Sequence, residues 1–564
     1  MSDARPIDGA STRLAARRGR AERPFLVLAL VLAALVALPV VSLGVIALSG
    51  SPANFLRLSQ TILPRSGLVT LELMLGVALV TGIFGTLTAW LTTSFDFPGR
   101  RVLAWALVLP LAVPTYIAAY CFNEMFHFVG PVQTVLRSIF GFRSRADYWF
   151  PDIRSLGGAI LVLSSVLYPY VFLTTRMVFL MQGRKAADVA RTLGAGRLRI
   201  FLAVLLPMAR PALAVGVALA LMETVNDIGA VEFLGVQTLT FAVYSTWLNR
   251  GDLEGATQIA LLMLGVIVLL VWAERFARRR QRFAGTRADP VRSRLEPLRG
   301  LPAAAAVLVC VLPILSGFGI PLIVLGGYAM KRLGDLGEPA LWRALWHTVA
   351  IAGLTGVATV TIGFLLAYGT RLTRDRTLEN AARLGALGYA IPGTVLAIGI
   401  LIPLATFDNA LDALLRQHFG ISTGLLLSGS GFAIVFACTA RFMAMGHGSL
   451  ESGFAKLSPH LDMAARTLGR GPGGTLRAVL LPLMRPAVLT AFLLVFVEAA
   501  KELSATILLR PFDFDTLATF VYAQASRAAF EDGAIAALLI VAVGILPVVL
   551  LTRSLLQGET ERLD

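Results

Sequence analysis

The sequence predicts an all-α polytopic membrane protein, with about twelve transmembrane helices in two parallel six-helix repeats. Three observations predict it. Hydrophobic residues make up 56% of the 564 and charged residues 15%, against roughly 45–50% and 25% in a soluble globular chain. The apolar residues gather into runs long enough to cross a bilayer. Two segments 275 positions apart repeat one another.

Composition also excludes several classes. A mean hydropathy of +0.75 fits neither a soluble enzyme nor a disordered chain. The formal charge of +16 would suggest nucleic acid in a soluble protein. Here the basic residues lie mostly between apolar runs, where they report orientation, so no nucleic-acid partner is expected. Cys121, Cys310 and Cys438 fall in or beside apolar runs and form no CxxC. They read as small buried hydrophobes, not a disulfide framework or metal site. No HExxH occurs, so a metalloprotease has no support.

Along the chain, 1–24 is a basic tail carrying Arg13, Arg17, Arg18, Arg20 and Arg23. The apolar run that follows, Phe25 to Leu48, exceeds a signal-peptide core and reads as an uncleaved first span. With ~20 apolar residues needed per span, the first half (25–273) holds spans near 25–48, 67–93, 101–123, 157–180, 208–228 and 257–273. The second half (301–553) holds spans near 301–327, 346–369, 384–406, 425–446, 486–506 and 533–552. Between them lies an Arg-rich linker, 274–300, with nine arginines. A short tail, 554–564, closes the chain.

Lys and Arg concentrate on cytoplasmic loops. Arg100–Arg101, the 181–206 segment, the linker and the 370–383 loop (Arg371, Arg374, Arg376, Arg383) are therefore placed inside. Both tails are cytoplasmic in this reading, which makes the chain a multi-pass membrane protein.

The halves repeat directly. ARTLG at Ala190–Gly194 recurs at Ala465–Gly469, VLLP at 204–207 recurs at 479–482, and RPA at 210–212 recurs at 485–487. Fourteen of 26 positions are identical between 187–212 and 462–487. Both copies fall on the inner side between spans four and five of their half. The repeat is therefore parallel, with a pseudo-two-fold axis along the membrane normal and a solute pathway between the halves. Each copy reads as two short helices joined at a glycine corner, with Pro207 and Pro211 leading into the next span in the first copy. Two such protrusions at matching positions suit a symmetric partner that docks twice.

These residues resemble the cytoplasmic EAA loop of type I ABC importer permeases. Asp188, Ala190, Gly194 and Pro207 match its pattern in the first copy; Ala464, Ala465, Gly469 and Pro482 match it in the second. Gly-to-Pro spacing is 13 in both, as in the family. Asp188 stands where the family has Glu, and Met463 replaces that acid in the second copy, with Asp462 one place earlier. The resemblance extends over most of the chain and is nearest to fused ferric iron permeases, through Met222–Gly235 and Lys501–Leu517. It implies the ABC transmembrane type-1 fold, with cores at about 66–273 and 345–553. It implies coupling helices seated on two copies of an ABC ATPase subunit, and ferric iron delivered by a solute-binding protein. Thiamine, polyamine or anion cargo fits the same class. A twelve-span secondary transporter is the competing class, but it has no use for duplicated docking loops.

The chain has four lysines, Lys185, Lys331, Lys456 and Lys501, and none follows a glycine. A P-loop is thereby excluded. No catalytic residues and no cofactor are expected here; ATP and its Mg²⁺ belong to the partner ATPase.

Glu223 and Asp227 stand at i and i+4 late in span five, and Glu498 and Glu502 do the same in span eleven, with Lys501 between. At ~1.5 Å per residue, Glu223 lies roughly 22 Å from the inner surface. Ionisable groups at such depth face a cavity or a partner. One reading makes the four acids an external ring on the cargo pathway, with no fixed metal ligand set. The other pairs Glu498 with Lys501, and Glu223 with Arg176 or Arg441. Tyr116, Tyr120, Tyr168 and Tyr170 add phenol oxygens, or anchor the interface.

Overall fold

The computed structural model describes residues 27, 30–35, 37–39, 41–278, 295–373, 388, 391–458 and 460–560. The basic tail, the linker arginines from 279 to 294, and Arg374, Arg376 and Arg383 lie outside the described residues. What is described is helical apart from turns and one two-residue parallel pairing, Phe95–Asp96 with Glu296–Pro297.

Each of the twelve apolar runs carries a helix over most of its described residues. Among the described residues, ten helices are long and apolar enough to cross a membrane by themselves: Leu30–Ser49, Leu63–Ser94, Leu156–Met181, Arg197–Asn226, Leu253–Leu270, Leu301–Lys331, Pro339–Leu372, Gly393–Phe419, Gly431–Ala455 and Gly473–Ala500. The third run is broken instead. Arg100–Ala112 and Thr115–Phe140 meet at 99°, because Pro114 holds the residue before it extended, and Val113 has φ −93° and ψ 118°. The twelfth run is the helix Ala534–Thr560, with its apolar part at Ala534–Leu546.

Spans five and eleven begin a turn or more before the sequence reading. In each, a π-helical turn, Phe201–Leu205 or Leu476–Leu480, runs straight into the span. Pro207 and Pro482 stand in the first turn after it. A proline has no N–H and its ring collides with the carbonyl four residues back, so the ladder widens by one residue ahead of it.

Helices facing lipid are apolar on the outside as well as within. Leu63–Ser94 exposes Leu68, Leu71, Leu75, Leu79 and Ile83 along one stripe. Its buried stripe carries Thr70, Thr81, Thr88 and Thr92, each donating its hydroxyl to the carbonyl four residues earlier. That satisfies the hydroxyl where no water is present.

Compactness divides the chain differently from sequence repetition. One unit comprises the residues up to Gly44 with Val349–Ala505 and Leu509–Phe512. The other comprises Val45–Thr348, Thr506–Leu508 and Asp513–Asp564. Most of the first span thus belongs with second-repeat spans, while Leu301–Lys331 and Ala534–Thr560 belong with the first repeat. Close backbone approach at small residues accounts for this. A Cβ on Gly399 would lie 2.2 Å from the Pro39 carbonyl oxygen in the former unit. In the latter, one on Gly317 would lie 2.1 Å from that of Ser165, and one on Gly544 2.5 Å from that of Ala112.

Candidate functional site

The two repeated loops have the same local construction. In the first, helix Arg184–Thr192 ends at Gly194 with φ +80°, and the Ala195 N–H donates to the Ala190 carbonyl at 3.0 Å. In the second, helix His460–Thr467 ends at Gly469 with φ +78°, and the Arg470 N–H donates to the Ala465 carbonyl at 3.0 Å. The Leu468 N–H donates to the Ala464 carbonyl at 3.2 Å. A left-handed residue closing such a helix end favours glycine. Short helices Arg197–Ile200 and Pro472–Thr475 follow.

Each loop is seated by alanine and exposes leucine. Ala187 and Ile200 are buried in the first loop, and Ala465 in the second. At the corners, the equivalent Leu193 and Leu468 are 83% and 81% exposed. Val189, Leu198 and Met463 are also exposed.

Salt bridges hold the loops by different means. Asp188 pairs with Arg191 at 2.9 Å. Arg191 also reaches Glu296 at 3.4 Å, and Arg197 Nε donates to Glu296 Oε1 at 2.5 Å. Glu296 is fixed by its strand pairing and by Leu298 N–H on the Asp96 carbonyl at 2.8 Å. In the second loop Arg371 donates to Asp462 Oδ2 at 2.9 and 2.7 Å, and to the carbonyls of Phe454, Leu457 and Ser458. The sequence marked Arg371 only as orientation charge; its latch partners lie over eighty residues away.

The four intramembrane acids separate into two kinds. Asp227 Oδ1 accepts the Ala230 N–H, and Glu502 Oε1 accepts the Ala505 N–H, each at 2.8 Å. Both are buried caps of the turn that follows their span, and Glu502 is also ion-paired with Arg441. Glu223 and Glu498 are half-buried, with Glu498 on Lys501 at 2.8 Å. The Glu498–Lys501 pairing occurs as the sequence suggested, while Arg441 serves Glu502.

Of the tyrosines, Tyr168 donates to the Leu107 carbonyl at 2.9 Å, a structural role. Tyr116 and Tyr120 are buried, and Tyr120 packs edge-on to Phe233. Two phenol–carboxylate pairs escaped sequence reasoning: Tyr328 donates to Glu124, and Tyr522 to Glu232, each at 2.5 Å. Burial lifts the Glu232 carboxyl above its ordinary range, and the Tyr522 hydrogen bond pulls the other way. No local signal links these partners, which are 204 and 290 residues apart.

The repeat is visible in hydrogen bonds as well as in letters. The Leu239 N–H donates to Thr70 Oγ1 at 2.9 Å, and the Leu517 N–H to Thr348 Oγ1 at 2.7 Å.

Residues 81–283 match the family described as binding-protein-dependent transport system inner membrane component. The Fe(3+)-transport system permease protein FbpB 2 of Haemophilus influenzae is 25% identical over 491 residues, covering 86% of this chain and 88% of that protein. The sulfate transport system permease protein CysT of Salmonella typhimurium is 31% identical over 222 residues, 37% of this chain and 76% of that protein. The molybdenum transport system permease protein ModB of Escherichia coli is 29% identical over 207 residues, 35% of this chain and 87% of that protein.

Proposed function

The chain belongs to the binding-protein-dependent transport system inner membrane components, as an ABC importer permease in fused two-half form, and we propose that its cargo is ferric iron. In this reading a solute-binding protein delivers the ion to the outer mouth. Two copies of a separate ATPase engage the loops 186–206 and 461–481. Closure of the paired ATPases moves both loops together, and the pathway between the halves alternates its access.

The observation that carries the coupling role is the pair of loops itself. They share a glycine corner, a π turn and an exposed leucine at the same repeat position. Large apolar side chains held out in water mark an interaction site. The ferric cargo is supported by the likeness to an Fe(3+) permease across most of both chains. A second reading, an oxyanion cargo, draws on the shorter but higher-identity matches to sulfate and molybdenum permeases.

Within this scheme Glu223, Asp227, Glu498 and Glu502 are the candidate acids of the cargo pathway, Glu223 and Glu498 half-buried and Asp227 and Glu502 buried as caps. Hard cations prefer oxygen ligands.

Reconstituted vesicles holding the permease, its ATPase and its binding protein test the proposal. Ferric uptake is expected to stop with an ATPase-dead partner and to survive collapse of the proton gradient. Uptake that persists without ATP hydrolysis would overturn the coupling role, and transport of sulfate in place of ferric iron would overturn the cargo. In the same vesicles the double variant Glu223→Gln, Glu498→Gln is expected to keep basal ATP hydrolysis and lose most ferric uptake. Undiminished uptake removes those two acids from the pathway.

A further inference from the structure

Among the described residues no three His, Cys, Asp or Glu side chains converge on one point. Phenols change that picture. Ile117, Tyr120, Cys121 and Glu124 share a face of the helix Thr115–Phe126 and line a pocket with Tyr328 and Gln524. The pocket has room for one water-sized occupant. Glu124 and Tyr328 already share a short hydrogen bond within it.

Tyr120 is the observation that points to a ligand. It is 5% exposed, and its hydroxyl has no hydrogen-bond partner. A buried hydroxyl without a partner costs roughly 1–3 kcal/mol, so its retention asks for an occupant. It lies one turn before Glu124 on the same face. Lys331 lies over the Tyr328 ring, 5.4 Å from its centroid, and is neutralised by Glu531 at 3.5 Å, while Arg332 pairs with Asp532 at 2.9 Å. Glu124 is then the carboxylate inside, beside two phenols and an amide.

We propose that Tyr120, Glu124 and Tyr328, with the Gln524 side chain, form a transit site for a hard trivalent metal cation near the outer end of the membrane region. The site rests on the ferric reading above and extends it by naming ligands. Phenolate, carboxylate and amide oxygen form a hard donor set. Binding replaces the proton shared by Tyr328 and Glu124: each phenol that ligates the metal releases one proton to water, and no electron is transferred. A bound trivalent charge makes that deprotonation favourable in a buried setting.

The test uses the full chain with its ATPase in lipid nanodiscs, titrated with ferric nitrilotriacetate. A visible phenolate-to-iron charge-transfer band is expected in the wild type, lost in the double variant Tyr120→Phe, Tyr328→Phe and weakened in Glu124→Gln. Ferric uptake in vesicles is expected to fall about tenfold in the double variant, the scale of losing support at a metal site. Tyr120→Phe deletes an unpartnered hydroxyl, so its melting temperature is expected to stay level or rise while its uptake falls. A raised melting temperature with unchanged uptake would make the orphan hydroxyl a packing defect and overturn the site. Ferric uptake by a wild type that shows no band overturns the site and leaves the cargo standing. A band without ferric uptake keeps the site and removes the cargo.

Discussion

At Arg441 and Glu502 two opposite charges are each 5% exposed, so neither has water to replace a lost partner. Removing one member of such a pair strands the other in low dielectric, at about 3–5 kcal/mol. Arg441→Met is expected to lower thermal stability by that order in detergent, and Arg441→Met with Glu502→Leu to recover part of it. Lys501 and Glu498 are about one-fifth exposed; Lys501→Met is expected to cost about 1 kcal/mol or less. Equal losses at the two pairs would contradict the burial argument. The i, i+4 spacing singled out all four intramembrane acids in the sequence, two in each repeat. The sequence could not divide the buried caps from the half-buried carboxylates, because that division depends on the turns at Ala230 and Ala505 and on an arginine sixty-one residues from Glu502.

Helices were legible wherever apolar length was the signal. They were less so where backbone chemistry intervened, at the 99° break before Thr115 and at the π turns ahead of Pro207 and Pro482. The glycine corners were legible because the positive φ of Gly194 and Gly469 has few alternatives among residue types. A Cβ in that conformation costs roughly 1–2 kcal/mol, and asparagine tolerates it better than most. Gly469→Val is therefore expected to reduce transport-linked ATP hydrolysis severalfold, with Gly469→Asn close to wild type. The measurement is cargo-stimulated ATPase activity. Equal activity in both variants would mean that the corner does not set the loop's position.

Sequence repetition and packing gave different partitions of the whole molecule. Repetition follows similar letters along the chain. Packing follows which helices present small residues to one another, and Pro39 with Gly399 or Ala112 with Gly544 carry no sign of their partners in local sequence. Because each unit draws spans from both repeats, co-expressed polypeptides 1–285 and 286–564 are expected to copurify through affinity purification in detergent. Their separation would show that the exchanged spans contribute little.

The exchange of the first span also bears on synthesis. The helix carrying Pro39 leaves the ribosome roughly 360 residues before Gly399 exists, a wait on the order of 20–70 s at typical translation rates. Throughout that interval its packing face meets only acyl chains or a chaperoning insertase. Biogenesis of this permease is thus committed to sheltering an early helix until a late one arrives, and premature termination before residue 399 leaves that helix without its mate.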